Sequence, residues 1–197
     1  MPAGQAHDPT EPRRAPRREG LSPTVALLSI GGVLVLSGLI SRRTSPDPSH
    51  PRIARWYRSL EKPAYTPPDP VFGGVWPVLM LLISAGAYRL MRAPRSPERD
   101  QAVALWAATI ALVTAYNTIL FGRRSLTGAT LEGAMVAAAG AAFVARARGV
   151  DPAAAATGVP LTLWSVFGDV LTADIARRNP DLDGRDPGRG PATGAAR

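Results

Sequence analysis

The sequence predicts an all-α integral membrane protein in which five transmembrane helices form a bundle. Apolar blocks of spanning length alternate with polar segments, and charged residues fall almost entirely outside the blocks. A bilayer core of about 30 Å is crossed by roughly 20 helical residues, and a helix satisfies its own backbone hydrogen bonds where water is absent. A soluble bundle would show a polar face on each helix, whereas the third block carries no charge.

The apolar blocks set the predicted spans and the domain limits. The first block, 24–41, is long for a signal-peptide core and no small-residue cleavage site follows it. The other four spans are predicted at 72–91, 102–121, 126–145 and 153–176. We therefore expect a disordered basic tail at 1–22, a membrane domain at 23–178 and a second disordered tail at 179–197.

The composition excludes several function classes. A net charge of +8 would suggest nucleic acid in a soluble domain, but the arginines flank apolar blocks, as side chains that reach anionic headgroups do. The expected partner is therefore the lipid bilayer and not nucleic acid. The chain has no cysteine, and His7 and His50 stand far apart in polar segments. Neither a metal site nor a thiolate nucleophile is expected, and no set of catalytic residues is readable.

The segment between the first two spans is rich in proline and aromatic residues, reading WYRSLEKPAYTPPDPVFGGVW over 56–76. Its prolines should prevent a regular helix and stiffen an extended loop; they are Pro63, Pro67, Pro68 and Pro70. Its large aromatic side chains should bring amphipathic rings to the membrane interface; they are Trp56, Tyr57, Tyr65 and Trp76. Two interpretations stay open, an interfacial anchor or the lid of a pocket for a flat apolar ligand.

This segment resembles the TspO/MBR family, the translocator or tryptophan-rich sensory proteins. The residues that match the pattern of that family are Trp56, Tyr57, Leu60, Lys62, Pro63, Pro67, Pro68, Phe72, Gly73, Val75 and Trp76. The resemblance continues in the later spans at Phe121, Gly122, Glu132, Pro160, Trp164 and Phe167. Five spans with a long first loop agree with that family.

The resemblance implies a five-helix bundle, often dimeric, whose pocket opens toward the first loop and binds porphyrins and related tetrapyrroles. A heme-like tetrapyrrole is then the expected ligand, with no cofactor required, and the expected location is a bacterial cell membrane. The residues carried over to the pocket are Tyr57, Trp76, Tyr116, Trp164 and Gly168. Tyr116 stands where the family usually has Trp, and Val113 where it commonly has Asn. Thr172 and Ala173 replace the Asn–Tyr of the sterol motif, which argues against sterol recognition.

Small residues and three acids stand out inside the predicted spans. Gly128, Ala129, Gly133, Ala137 and Ala141 line the fourth span at close intervals. They suit either tight packing within the chain or the face of a homodimer. Of the acids, Asp174 lies near a helix end, where Arg177 or Arg178 can pair with it. Glu132 can face either the interior or the headgroups. Asp169 is the deepest and either bonds internally or lines the cavity.

Three functions compete at this point. The first is a protein that binds tetrapyrroles in order to sense, scavenge or translocate them. The second is a membrane enzyme that degrades porphyrin by oxidation through an aromatic residue, with Trp76 the first to test. The third is a small transporter for another ligand, which would require a polar path across the bundle. The third span offers few polar side chains for such a path, namely Thr109, Thr114, Asn117 and Thr118.

Overall fold

The computed structural model describes residues 19–185, and within that range the chain is helical with no strand. The α-helices are α1 (Pro23–Arg42), α2 (Pro51–Ser59), α3 (Asp69–Arg92), α4 (Pro97–Asn117), α5 (Leu126–Arg148) and α6 (Pro152–Arg178). A π-helical turn, Thr118–Gly122, continues α4. All of these except α2 are long and apolar enough to cross a membrane. The predicted bundle of five spanning helices is therefore confirmed.

The helices begin where short polar motifs cap them. Ser22, Ser96 and Ser125 each accept a hydrogen bond from a backbone N–H in the first turn of the helix that follows. Asp151 does the same for α6. Capping satisfies donors that have no partner within the helix, and proline at the first helical position is favoured because its missing N–H is not needed there. The Ser96 cap explains why α4 starts at Pro97, several residues before the predicted apolar span. Helix α3 starts early without a side-chain cap, with Pro70 in its first turn.

The five spanning helices form a bundle, and the two halves of the bundle differ in how their interiors are filled. In the half remote from the α1–α3 connection, buried side chains fill the interior, including Ile83, Phe143 and Leu161, each with 0% of its surface exposed. In the other half the helices enclose a cavity. The outer faces carry exposed apolar side chains, for example Leu28 at 71% and Leu131 at 68%. Such faces suit contact with lipid, in keeping with a multi-pass membrane protein.

Helices α5 and α6 approach most closely at glycines. A methyl group added at Gly158 would lie 2.6 Å from Cδ1 of Phe143, and one at Gly140 would lie 2.8 Å from Oγ1 of Thr162. Gly133 meets α6 in the same way, 2.6 Å from Oδ1 of Asp169. Gly133 and Gly140 of the fourth span thus serve close packing against α6 within the chain, whereas Ala141 is exposed.

The α1–α3 connection differs from the uninterrupted extended loop predicted for it. Pro51 starts α2, which carries Trp56 and Tyr57, and Pro70 lies in the first turn of α3. Both prolines occupy positions where a helix tolerates them, so within the segment 56–76 only residues 60–68 remain non-helical. Trp56 is also wholly buried within the protein, where its indole N–H donates to the carbonyl of Leu182 at 3.1 Å.

The tails predicted to be disordered are partly folded. Residues 1–18 and 186–197 lie outside the described residues, but Leu21 bonds through its N–H to the carbonyl of Met91 at 2.8 Å. At the other end, the side chain of Asn179 bonds to both the N–H and the carbonyl of Glu61. Asp183 accepts hydrogen bonds at the start of α5. We call residues 179–183 the C-terminal clasp, since they join the α1–α3 connection to α5.

Candidate functional site

A cavity of about 790 Å³ lies in the half of the bundle beneath the α1–α3 connection. All five spanning helices contribute to its wall, from Leu34 in α1 to Ile175 in α6. Most of the surface that lines it is apolar. A cavity of this size and polarity is typical of sites for small organic ligands.

The five side chains predicted to form the pocket all line this cavity. Tyr57 lies at its roof, Trp76 on α3, Tyr116 on α4, and Trp164 and Gly168 on α6. Residues that are distant in sequence therefore meet at one site. Their role in binding a ligand stays a prediction.

Phe72 and Trp164 form an aromatic wall of the cavity, and Phe167 packs against Trp164 without lining the cavity. The centroid of the Trp164 ring lies 5.8 Å from that of Phe72 and 5.3 Å from that of Phe167, with both pairs tilted. These separations fall in the range preferred by aromatic pairs. Gly168 follows on the same helix, and a methyl group added there would meet nothing within 4 Å. The wall therefore combines flat apolar faces with open space beside them.

The roof is organised around Tyr57. Its hydroxyl donates to Oδ1 of Asp69 at 3.2 Å, and its ring packs edge-on against Phe121 with centroids 5.6 Å apart. The ammonium of Lys62 lies 3.6 Å above the centroid of the same ring. Burial raises the pKa of Tyr57 well above its ordinary value, and Asp69 adds to that effect. Tyr57 thus stays a neutral hydrogen-bond donor at physiological pH.

Polar contacts join the helices around the cavity. The hydroxyls of Tyr116 and Thr172 lie 2.6 Å apart, which links α4 to α6. The hydroxyl of Ser37 lies 2.7 Å from that of Thr114, which links α1 to α4. Thr172 thus contacts the predicted pocket residue Tyr116 directly.

The intramembrane acids occupy three different environments. Asp174 pairs with Arg177 at 3.3 Å and with Arg178 at 3.4 Å, as predicted. Glu132 is 6% exposed, so it faces the interior rather than the headgroups, and neither carboxyl oxygen has a partner within the described residues. Asp169 lines the cavity, and its Oδ1 is likewise buried without a partner there.

The loop-motif residues divide between the cavity and its support. Phe72 and Gly73 line the cavity directly. Lys62 contacts the roof tyrosine, and its pKa is lowered by burial, with Asp69 acting in the opposite direction. The others lie in the segment beside the cavity, where Trp56 and Pro63 are buried and Pro67 and Pro68 are more accessible. These others shape the covering segment without lining the cavity.

Sequence reasoning missed several cavity residues that are small and polar. They are Ser37, Ser41, Ser45, Asp47, Asp69 and Ser165. A serine within an apolar span is common in tightly packed membrane helices, so residue type alone did not separate them from packing positions. The spacing of Ser37 and Ser41 was the available signal, because residues four apart share one face of a helix. Ser45 lies beyond the end of α1.

A five-helix membrane bundle with a covered apolar cavity defines the class to which this protein belongs. Residues 24–178 match the TspO/MBR family, and the chain belongs to that family. It is 31% identical to Protein CrtK of Rhodobacter capsulatus, over 64% of this chain and 79% of that protein. It is 31% identical to the human Translocator protein, over 64% and 75% respectively. It is 32% identical to the Tryptophan-rich sensory protein of Cereibacter sphaeroides, over 63% and 77%.

Proposed function

We propose that this protein binds a flat tetrapyrrole of the porphyrin type in the cavity between its five spanning helices. The observation that carries the proposal is the set of aromatic side chains, including Phe72, Trp76 and Trp164, that line a largely apolar cavity of about 790 Å³. Large rings offer stacking surface to a planar macrocycle, and the cavity volume falls within the range typical of small-ligand sites. Family membership supports the same ligand class.

We further propose that the protein holds its ligand as a sensor or scavenger in the membrane of a bacterial cell. The cavity ends at the packed half of the bundle, where Ile83, Phe143 and Leu161 are fully buried. A translocator that conducted its ligand straight across would need a path through that core. Relatives carry the names Translocator protein and Tryptophan-rich sensory protein. The closed end of the cavity favours a sensing or scavenging role.

The test is an equilibrium titration of the detergent-purified protein with protoporphyrin IX in the dark. Saturable quenching of tryptophan fluorescence at one porphyrin per chain is expected, because Trp76 and Trp164 both line the cavity. The double variant Trp76→Leu, Trp164→Leu should bind at least about 10-fold more weakly, since stacking on an aromatic side chain is worth roughly 1–3 kcal/mol.

Binding by the double variant is read from the absorption band of the porphyrin itself, because two of the four tryptophans are then missing. Leu163→Ala is the control, since this side chain is 66% exposed on the outside of α6. Equal affinity in all three proteins, or quenching that rises linearly without saturation, would contradict the proposal.

A further inference from the structure

The cavity wall formed by α6 contains polar atoms that the fold leaves without hydrogen bonds. Within residues 19–185, the indole N–H of Trp164, the hydroxyl of Ser165 and Oδ1 of Asp169 are buried and have no partner. All three side chains line the cavity. Because buried polar groups are nearly always paired in folded proteins, this cluster points to a partner that comes from outside the chain.

Ser165 differs from the other hydroxyl residues near it on α6. Thr162 and Thr172 donate to carbonyls four residues earlier in the helix, at 3.0 Å and 2.8 Å. This is the usual way for a hydroxyl within a membrane helix to find a partner. Ser165 makes no such bond although it is only 4% exposed. Its hydroxyl therefore has no partner within residues 19–185, in a side chain that borders the cavity.

The carboxyl group of Asp169 has room in the fold, and its buried Oδ1 has no hydrogen-bond partner within residues 19–185. The missing side chain of Gly133 leaves space for its carboxyl group, since a methyl group there would lie 2.6 Å from Oδ1. Basic residues of the covering segment and of the end of α6 pair with other acids, as Lys62 approaches Asp69 and Arg177 bonds to Asp174. Arg178 bonds to Glu61 and Asp174.

We propose that Ser165 and Asp169 form a subsite for a nitrogen that carries hydrogen, most strongly a protonated amine, on a flat aromatic ligand. Residues four apart lie on the same face of a helix and both side chains border the cavity, so rotation of the two side chains can turn their oxygens toward one nitrogen. A hydrogen bond between an ammonium group and a carboxylate is charge-assisted and stronger than a neutral one. The neighbouring ring of Trp164 adds a face that attracts cations.

This subsite rests on the proposed function only in requiring that flat molecules enter the cavity. It adds a preference that the aromatic wall alone does not explain. The rings of the wall attract a cation equally in wild type and in Asp169→Asn, whereas the Ser165–Asp169 subsite adds a preference for ligands that donate a hydrogen bond from nitrogen, and that preference depends on Asp169. Binding to the aromatic wall and selection by the subsite can be separated with two probes that share the same aromatic ring system.

The probes are 1-pyrenemethylamine, which is a cation at neutral pH, and 1-pyrenemethanol, which is neutral. Binding to the full-length protein in detergent is measured by energy transfer from tryptophan to pyrene, with protein-free micelles as the blank. Wild type should bind the amine at least about 10-fold more tightly than the alcohol, as expected for a charged hydrogen bond. Asp169→Asn should reduce that ratio to within about twofold, and Ser165→Ala should reduce it by a smaller factor.

Asp181→Asn is the matched control, because it removes the same charge from a carboxylate whose side chain is 95% exposed. It should keep the wild-type ratio. Equal affinities of wild type for the two probes would overturn the inference, and this comparison needs no variant to fold. An unchanged amine-to-alcohol affinity ratio in Asp169→Asn would also overturn it. Protoporphyrin binding with no preference for the amine would leave the proposed function standing. A preference for the amine that depends on Asp169, found without porphyrin binding, would support the subsite and contradict the proposed function.

Discussion

Asp183 in the C-terminal clasp should stabilise the fold through the start of α5. Its carboxylate accepts hydrogen bonds from the backbone N–H groups of Leu126 at 2.6 Å and Thr127 at 3.2 Å. The next N–H, that of Gly128, is capped by Ser125 at 3.1 Å. Asp183 therefore satisfies two of the helix donors that otherwise lack a partner within the helix.

Replacing Asp183 with alanine should lower the free energy of unfolding by about 1–2 kcal/mol. Loss of a helix cap costs roughly 0.5–2 kcal/mol, and a negative charge at a helix N-terminus adds about 0.3–1 kcal/mol. Asp183→Asn should lose less, since the amide oxygen still accepts. The measurement is unfolding in a denaturing-detergent titration followed by circular dichroism. Asp181→Ala is the control, because its carboxylate contacts only Arg185, at 3.9 Å.

The contribution of Asp183 should also depend on pH. Burial alone would raise the pKa of its carboxyl group, but hydrogen bonds from Thr127 and Leu126 outweigh burial and lower the pKa below its ordinary value. A lowered pKa in the folded state gives stability that is present above the pKa of the unfolded chain, about 3.9. That stability is lost as pH falls through the folded value. A difference between wild type and Asp183→Ala that stays below 0.5 kcal/mol at pH 7, or that grows on acidification, would refute this reasoning.

Three substitutions test the packing of the bundle by the same unfolding titration. Gly158→Ala should destabilise by about 1–3 kcal/mol, because the added methyl group overlaps Phe143. Gly31→Ala should be neutral or stabilising by up to roughly 1 kcal/mol, because its Cβ meets nothing within 4 Å. Trp106→Phe should cost about 1–3 kcal/mol, because the buried Ser84 hydroxyl loses the indole N–H at 3.1 Å. Equal effects of the two glycine substitutions would contradict the packing described for α5 and α6.

The apolar spans were predictable from sequence because hydrocarbon imposes a simple rule of length and polarity. The pocket residues were predictable because a long motif identified the family, and Tyr57, Trp76 and Trp164 do meet at one cavity. Neither inference required knowledge of which helices are neighbours. Residues that belong to a strong local pattern or to a family motif are therefore the ones whose location can be predicted correctly from sequence.

The C-terminal clasp was missed because its stability comes from contacts that are distant in sequence. Residues 179–183 are polar and follow a helix, so their composition predicts disorder. Their order depends on partners more than fifty residues away, such as Glu61 for Asn179 and Leu126 for Asp183. The missing hydrogen bond of Ser165 could not be predicted from sequence either, since a serine in a helix normally donates to a backbone carbonyl of the same helix.

Filling the cavity tests its role as the ligand site most directly. Gly168→Leu places a side chain into the cavity, and its Cβ meets no atom within 4 Å, so the protein should fold normally. Gly74→Leu is the matched control, because Gly74 is equally unhindered, exposed and not part of the cavity wall. In a protoporphyrin IX titration we expect Gly168→Leu to lose at least about 10-fold in affinity, the equivalent of 1.4 kcal/mol, while Gly74→Leu matches wild type. Undiminished porphyrin affinity in a folded Gly168→Leu protein would contradict binding in this cavity.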